Sequence, residues 1–137
     1  MRKVEELLCH NIRQGFNSVN VPKDWTDSSG NTTIKFSYCE NGNFKADVYL
    51  FNNLIASIRD KGFWIITGDC FHWWFSRTTF SRLNALINTF GIDPYKQGVY
   101  MRKKKPYLST WGGDELEMSL NSSYWVHGVS LGWRDSK

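Results

Sequence analysis

Along the 137 residues of the chain the spacing of apolar positions changes several times, and each change marks an element. Val4, Leu7, Leu8 and Ile12 recur at three- and four-residue intervals, which predicts an amphipathic helix over residues 3–14, ended by Gly15 and serving as a lid or support. From residue 17 to 31 the composition turns to Ser, Asn, Asp, Gly and Pro, with Val19, Val21 and Trp25 as apolar tacks. Such a stretch reads as a loop within one domain. Period two then takes over. Ile34, Phe36 and Tyr38 alternate with shorter or polar residues over 32–39, and Ala46, Val48 and Leu50 share one face of 44–51. Leu54 to Arg59 and Phe63 to Thr67 continue the series, with Glu40-Asn41-Gly42-Asn43, Asn52-Asn53 and Asp60-Lys61-Gly62 as the turns between. Connections this short cannot make a parallel crossover, so the four strands form an antiparallel meander.

The helical period returns at Phe80, Leu83, Leu86, Ile87 and Phe90, entered through hydroxyl residues and stopped by Gly91 and Pro94. Beyond it, 99–102 and 106–111 read as strands interrupted by Lys103-Lys104-Lys105, Glu115 to Leu120 alternates after a Gly112-Gly113-Asp114 turn, and Tyr124 to Trp133 is a last strand or an ordered tail. The expected fold class is α+β: a single antiparallel sheet of five or six strands, a meander, with two helices packed on it, in one domain over 1–137.

Composition agrees with a folded globule, at 41% hydrophobic, 16% aromatic and 22% charged residues. Seven Trp exceed what one core of this size demands, leaving some for an interface. Lys and Arg outnumber Asp and Glu by 17 to 13, a formal charge of +4 that tolerates a polyanionic partner without requiring one. Cys9, Cys39 and Cys70 form an odd set lacking metal-ligand spacing, which suits reduced thiols in the cytosol. No apolar run approaches the roughly 18 residues of a membrane span, and acids at Glu5 and Glu6 argue against a signal peptide.

Candidate chemistry is thin. In an extended segment Cys70 and His72 would share a face and could pair as nucleophile and base, yet a packed cysteine explains the same residues with less. His10, His72 and His127 lack paired ligand spacings, so no metal and no cofactor are expected. No phosphate-binding glycine loop is present, and Asp114, Glu115 and Glu117 sit where solvated surface is their expected fate.

The basic and aromatic surface is the stronger candidate. Trp73 and Trp74 are adjacent, so one of them is expected to face away from any single sheet face. Arg77 and Arg82 flank the helix start, where free backbone N–H groups of Thr78, Thr79 and Ser81 could meet an anion, and Lys103 and Lys104, with Lys105, add charge further on. Arg and Trp are enriched at the energetic centres of interfaces and also stack on bases. The competing account has Thr78 or Thr79 simply capping the helix and Arg82 pairing with a surface acid.

The order Val48-Tyr49-Leu50-Phe51-Asn52-Asn53-Leu54-Ile55-Ala56, then Thr78-Thr79-Phe80-Ser81-Arg82-Leu83-Asn84-Ala85-Leu86-Ile87, resembles a widespread group of small tailed-bacteriophage proteins. That group has a V-x-L-x-x-N-x-I-A hairpin followed by a T-T-x-S-R-L-N-A-L helix. Thr78, Thr79, Ser81, Arg82, Leu83 and Asn84 match it residue by residue, over about the middle third of the chain. Phe71 to Phe75 is more aromatic than the pattern. The resemblance implies phage origin and the hairpin-then-helix order, and no chemistry.

The functional expectation is a small phage accessory protein in the host cytoplasm: a non-enzymatic binding module that docks on and modulates a host protein of defence or nucleic-acid processing. Its contact residues would be Trp73, Trp74, Arg77, Thr78, Thr79, Ser81, Arg82 and Asn84. The alternative is direct nucleic-acid or nucleotide binding through Arg77, Arg82 and Lys103 to Lys105, with a small Cys70/His72 enzyme third.

Overall fold

The computed structural model describes residues 2–39 and 43–131. Its elements are α1 (Lys3–Phe16), β1 (Trp25–Thr26), β2 (Thr32–Tyr38), β3 (Phe44–Leu50), β4 (Asn53–Arg59), β5 (Gly62–Ile66), α2 (Phe71–Trp74), α3 (Arg77–Phe90), β6 (Gly98–Arg102), β7 (Lys105–Ser109), β8 (Glu115–Glu117) and β9 (Ser123–His127). A six-stranded antiparallel sheet runs β1-β2-β3-β4-β5-β9, and β6-β7-β8 form a second, three-stranded sheet. The α+β class and the meander therefore hold, while the sheet expected to be single is two.

The strand alternation places Ile34, Phe36, Phe44, Ala46, Val48 and Leu50 on the buried face, against which both long helices lie. α1 contributes Leu8, Ile12 and Phe16, all essentially sealed from solvent, and α3 contributes Leu83, Leu86, Ile87 and Phe90. Gly15 does not end α1, which continues to Phe16. It is instead where helix and sheet come closest, since a Cβ there would lie 2.3 Å from the Phe36 ring. In the 17–31 loop Val21 and Trp25 pack on the core as expected, but Val19 is exposed.

The turn joining β3 to β4 falls on Phe51-Asn52, both with left-handed backbone (φ 50° and 65°), one residue earlier than the sequence suggested. Lys103-Lys104 has the same geometry (φ 51° and 65°), so the lysine run is the tip of a β6–β7 hairpin and not a break in a strand. That hairpin leaves the main sheet because α3 captures its first strand: Asn84 Nδ2 donates to the Val99 carbonyl (3.0 Å), and the Val99 N–H donates to Asn84 Oδ1 (2.9 Å). The chain returns to the main sheet at Thr67. There Thr67 Oγ1 donates to the Ser119 carbonyl (2.7 Å) and accepts from the Ser122 N–H (2.8 Å), which sets β9 beside β5. Residues 40–42 of the first predicted turn and residues 132–133 of the predicted tail lie outside the described residues.

Candidate functional site

The segment entering α3 is helical where an extended chain was expected. Phe71–Trp74 make the short turn α2, and Phe75 and Ser76 link it to α3. Two consequences follow. Helical backbone puts residues two apart on different sides, so Cys70 and His72 lose the shared face that a nucleophilic pair needed. The His72 ring lies edge-on to Phe71 instead, 5.9 Å between centroids. Trp73 and Trp74 also separate. Trp74 is fully buried, its indole N–H without a partner among the described residues, whereas Trp73 is half-buried on the flank of the core.

An aromatic ladder connects this turn to the interior: Phe71–Phe75 at 4.9 Å, Phe75–Phe80 at 6.2 Å and Trp74–Phe75 at 5.1 Å, each tilted edge to face. Its outer end stays open. Phe71 is 39% exposed, Phe51 at the β3–β4 turn is 46% exposed and meets Trp73 at 6.5 Å, and His72 and Arg77 of the same segment are exposed.

Most of the family-like motif points the other way. Ser76, not Thr78 or Thr79, caps α3: its Oγ accepts from the Thr79 N–H (3.2 Å), and Thr79 itself is buried. Thr78 is half-buried. Arg82 is buried and pairs through Nη1 with Glu5 Oε2 at 2.8 Å, while its Nε donates to Thr32 Oγ1 (3.2 Å). Ser81 Oγ donates to the same Glu5 oxygen, and the Arg2 N–H donates to the other one (3.2 Å). Glu5 is only 2% exposed, so the acid that Arg82 meets is a core residue of α1, not a surface one. With Asn84 clamped on Val99, the residues Thr79, Ser81, Arg82 and Asn84 are internal ties, and Trp74 is core. Burial therefore takes Trp74, Thr79 and Arg82 away from the partner-facing role expected of them, while Ser81 and Asn84 are half-buried with their side chains engaged inside the molecule. Of the ten candidate residues, Arg77 is exposed and Trp73 half-buried near the start of α3, and Lys103 and Lys104 are exposed at a hairpin tip.

Cys9 is buried beside α3, which pushes its thiol above the ordinary value, and its Sγ reaches the Ala85 carbonyl at 3.7 Å. On the second sheet, Arg102 forms a two-contact pair with Glu115 (2.7 and 3.1 Å) and lies over the Tyr107 ring at 4.5 Å. Hydrogen bonds from Tyr100 and Arg102 hold the Glu115 carboxyl below its ordinary value.

Sequence reasoning missed a second surface, the outer face of the six-stranded sheet. Register places Lys35, Asp47, Ser57, Trp64 and Trp125 in one row across β2, β3, β4, β5 and β9. Trp64 and Trp125 meet edge to face at 5.0 Å and line a groove of about 320 Å³ with Arg59 and Asp60. Gly62 makes room for this pair: a Cβ there would lie 2.5 Å from the Trp125 ring. The signal was present in Phe63-Trp64-Ile65, where a large aromatic alternates with two core residues and so must face away from them. Its neighbour Trp125 lies 61 positions along the chain, and nothing local announces the pairing.

Comparison with curated proteins and with solved structures found no match. The family comparison is decisive over nearly the whole length: the sequence model described as Kyanoviridae Gp96 protein matches residues 1–132, which agrees with the phage resemblance carried by the hairpin and by α3. The chain belongs to the Kyanoviridae Gp96 protein family of bacteriophages.

Proposed function

We propose that this phage protein is a non-enzymatic binding module that docks on a host protein in the host cytoplasm and modulates it, with defence and nucleic-acid-processing factors as the target class. The observation that carries the reading is the exposed and half-exposed side chains that α2 and the start of α3 present, Phe71, His72, Trp73 and Arg77, with Phe51 packed against Trp73. Aromatic residues and Arg are the composition of interface hot spots. Phe51 strengthens the argument. A bulky residue with φ of 50° occupies backbone that Asn or Gly adopts more easily, so its place at the turn is not explained by local folding. The framework behind these side chains is rigid, because α3 is fixed to α1 by Arg82–Glu5 and to β6 by Asn84. That rigidity limits the ordering cost of binding.

The test is affinity capture from infected cells, with and without nuclease, comparing the native chain with Phe71→Ser and Arg77→Ala. The expected result is a host protein retained after nuclease treatment and lost with either variant, while the melting temperature of each variant stays near native. Retention unaffected by both substitutions would reject this surface, and loss of the captured protein on nuclease treatment would reject a protein target.

A further inference from the structure

We infer that the outer face of the six-stranded sheet binds single-stranded nucleic acid, with Trp64 and Trp125 stacking on bases and Lys35 and Arg59 meeting phosphates. The inference stands apart from the docking surface and uses none of its residues.

Both long helices pack on the opposite face, so the outward side chains of β2, β3, β4, β5 and β9 are left to solvent or to a ligand. An antiparallel sheet ordinarily fills such a face with short polar and charged residues. Ser37, Lys45 and Asp47 do so here, Ser57 being buried beneath its bonds to Asp47 and Arg59, but the β5–β9 end carries two tryptophans, Trp64 being 36% exposed. The row from Lys35 to Trp125 crosses five strands, about 19 Å at the usual strand spacing. One end of it is cationic and the other aromatic, which is the pairing that single strands require: charge along the backbone and ring faces for the bases.

The charges on this face are poised for phosphate. Asp47 and Asp60, next to the two ends of this cationic and aromatic surface, are already engaged. Asp47 accepts from Ser57 Oγ (2.6 Å) and lies 3.6 Å from Lys45, while Asp60 accepts from the Leu131 N–H (2.8 Å) and from Ser130 Oγ (3.2 Å). Arg59 has no carboxylate partner among the described residues. Its Nε donates to Ser57 Oγ (3.2 Å), which holds the guanidinium at the edge of the groove that Trp64 and Trp125 line. Lys35 rests over the Tyr49 ring at 4.9 Å, its ammonium in no ion pair among the described residues. Trp125 is oriented by its indole N–H donating to His127 Nδ1 (3.3 Å) and by the bare backbone of Gly62 beneath it. A duplex hides its ring faces in the stack, so unpaired bases are the occupants that two indoles on a flat sheet can use.

The experiment titrates the full chain with a fluorescently labelled oligo-thymidine and with a duplex of equal length, at two salt concentrations. Two phosphate contacts on a single strand predict a log–log salt slope of about −1.4, hence an affinity loss of about 7-fold between about 50 and 200 mM salt. Trp64→Ala should weaken binding by about 10-fold or more, and Trp64→Phe should restore most of it, separating stacking from any loss of fold. Arg59→Ala should flatten the slope by about 0.7. Lys103→Ser with Lys104→Ser, and Trp73→Ala, should leave the titration unchanged. The inference is overturned if the oligonucleotide does not bind at low salt, if the duplex binds as tightly, or if only the hairpin lysines matter.

Discussion

Residues 70–84 form one unbroken stretch with two opposite fates. Its first part, α2, turns Phe71, His72 and the edge of Trp73 outward, and Arg77 at the start of α3 follows them into solvent. Its second part turns Ser81, Arg82 and Asn84 inward onto Glu5, Thr32 and Val99. The residue types in the two parts are similar: an Arg in each, hydroxyls in each, aromatics leading into both. What differs is whether a distant element supplies a partner. Glu5 on α1 and Val99 on β6 do so for the second part, and no described residue pairs with Arg77 in the first. A run of Arg, Ser and Asn is thus a binding surface only after the molecule's own needs have been met.

The comparison makes its largest prediction at the Arg82–Glu5 pair. Removing one partner leaves a buried charge uncompensated, so Arg82→Ala or Glu5→Ala should cost about 3–5 kcal/mol in denaturant unfolding, enough to unfold a marginal domain. Replacing both, as Glu5→Leu with Arg82→Met, should recover much of that loss, because an apolar pair of similar volume avoids the desolvation penalty. If Arg82→Ala is as stable as the native chain, the inward assignment of this half of the segment is wrong.

A smaller effect is expected at Asn84, whose amide completes both backbone groups of the buried Val99. Asn84→Ala strands a donor and an acceptor and should cost about 1–3 kcal/mol. The loss should concentrate in the second sheet, because this side chain is what joins β6 to α3. Amide hydrogen exchange would show it as faster exchange in β6 and β7 with β2 and β3 little changed. Uniform acceleration across both sheets would mean that the small sheet does not depend on this tie.

These two cases mark how far the sequence could be read. The buried stripe of α3 and the alternation of β2 and β3 follow from local period, because each such residue announces its face by its spacing from neighbours a few positions away. The phage-like motif was visible for the same reason, as a contiguous string. Its purpose was not. Arg82 meets Glu5 from 77 positions away, and the carboxylate that neutralises it sits in a helix whose amphipathic pattern showed only apolar positions. The lysine run was read as the gap between two strands, but its tight left-handed turn was not, because Asn-Gly, not Lys-Lys, is the usual sign of consecutive left-handed residues. Trp64 and Trp125 became neighbours only when β9 crossed back to β5, a step fixed by Thr67 and not by any pattern within either strand.

The smallest predicted effect bears on the outward half. Arg77 is exposed with no ion pair among the described residues, so Arg77→Ala should change stability by no more than about 0.5 kcal/mol, and Phe71→Ser, at a ring 39% exposed, should cost about 1 kcal/mol. Phe71 does touch Phe75, and losing that edge-to-face contact would add a little to its cost, whereas Arg77 has no such contribution to lose. The two variants should therefore rank in that order in chemical denaturation, both far below Arg82→Ala. The contrast with Arg82 matters more than either value: two arginines five positions apart on one helix, one whose removal unfolds the protein and one whose removal is silent until a partner is offered. A cost at Arg77 comparable to that at Arg82 would show that the first turn of α3 is also an internal tie, and the outward surface would then shrink to Phe51, Phe71 and the edge of Trp73.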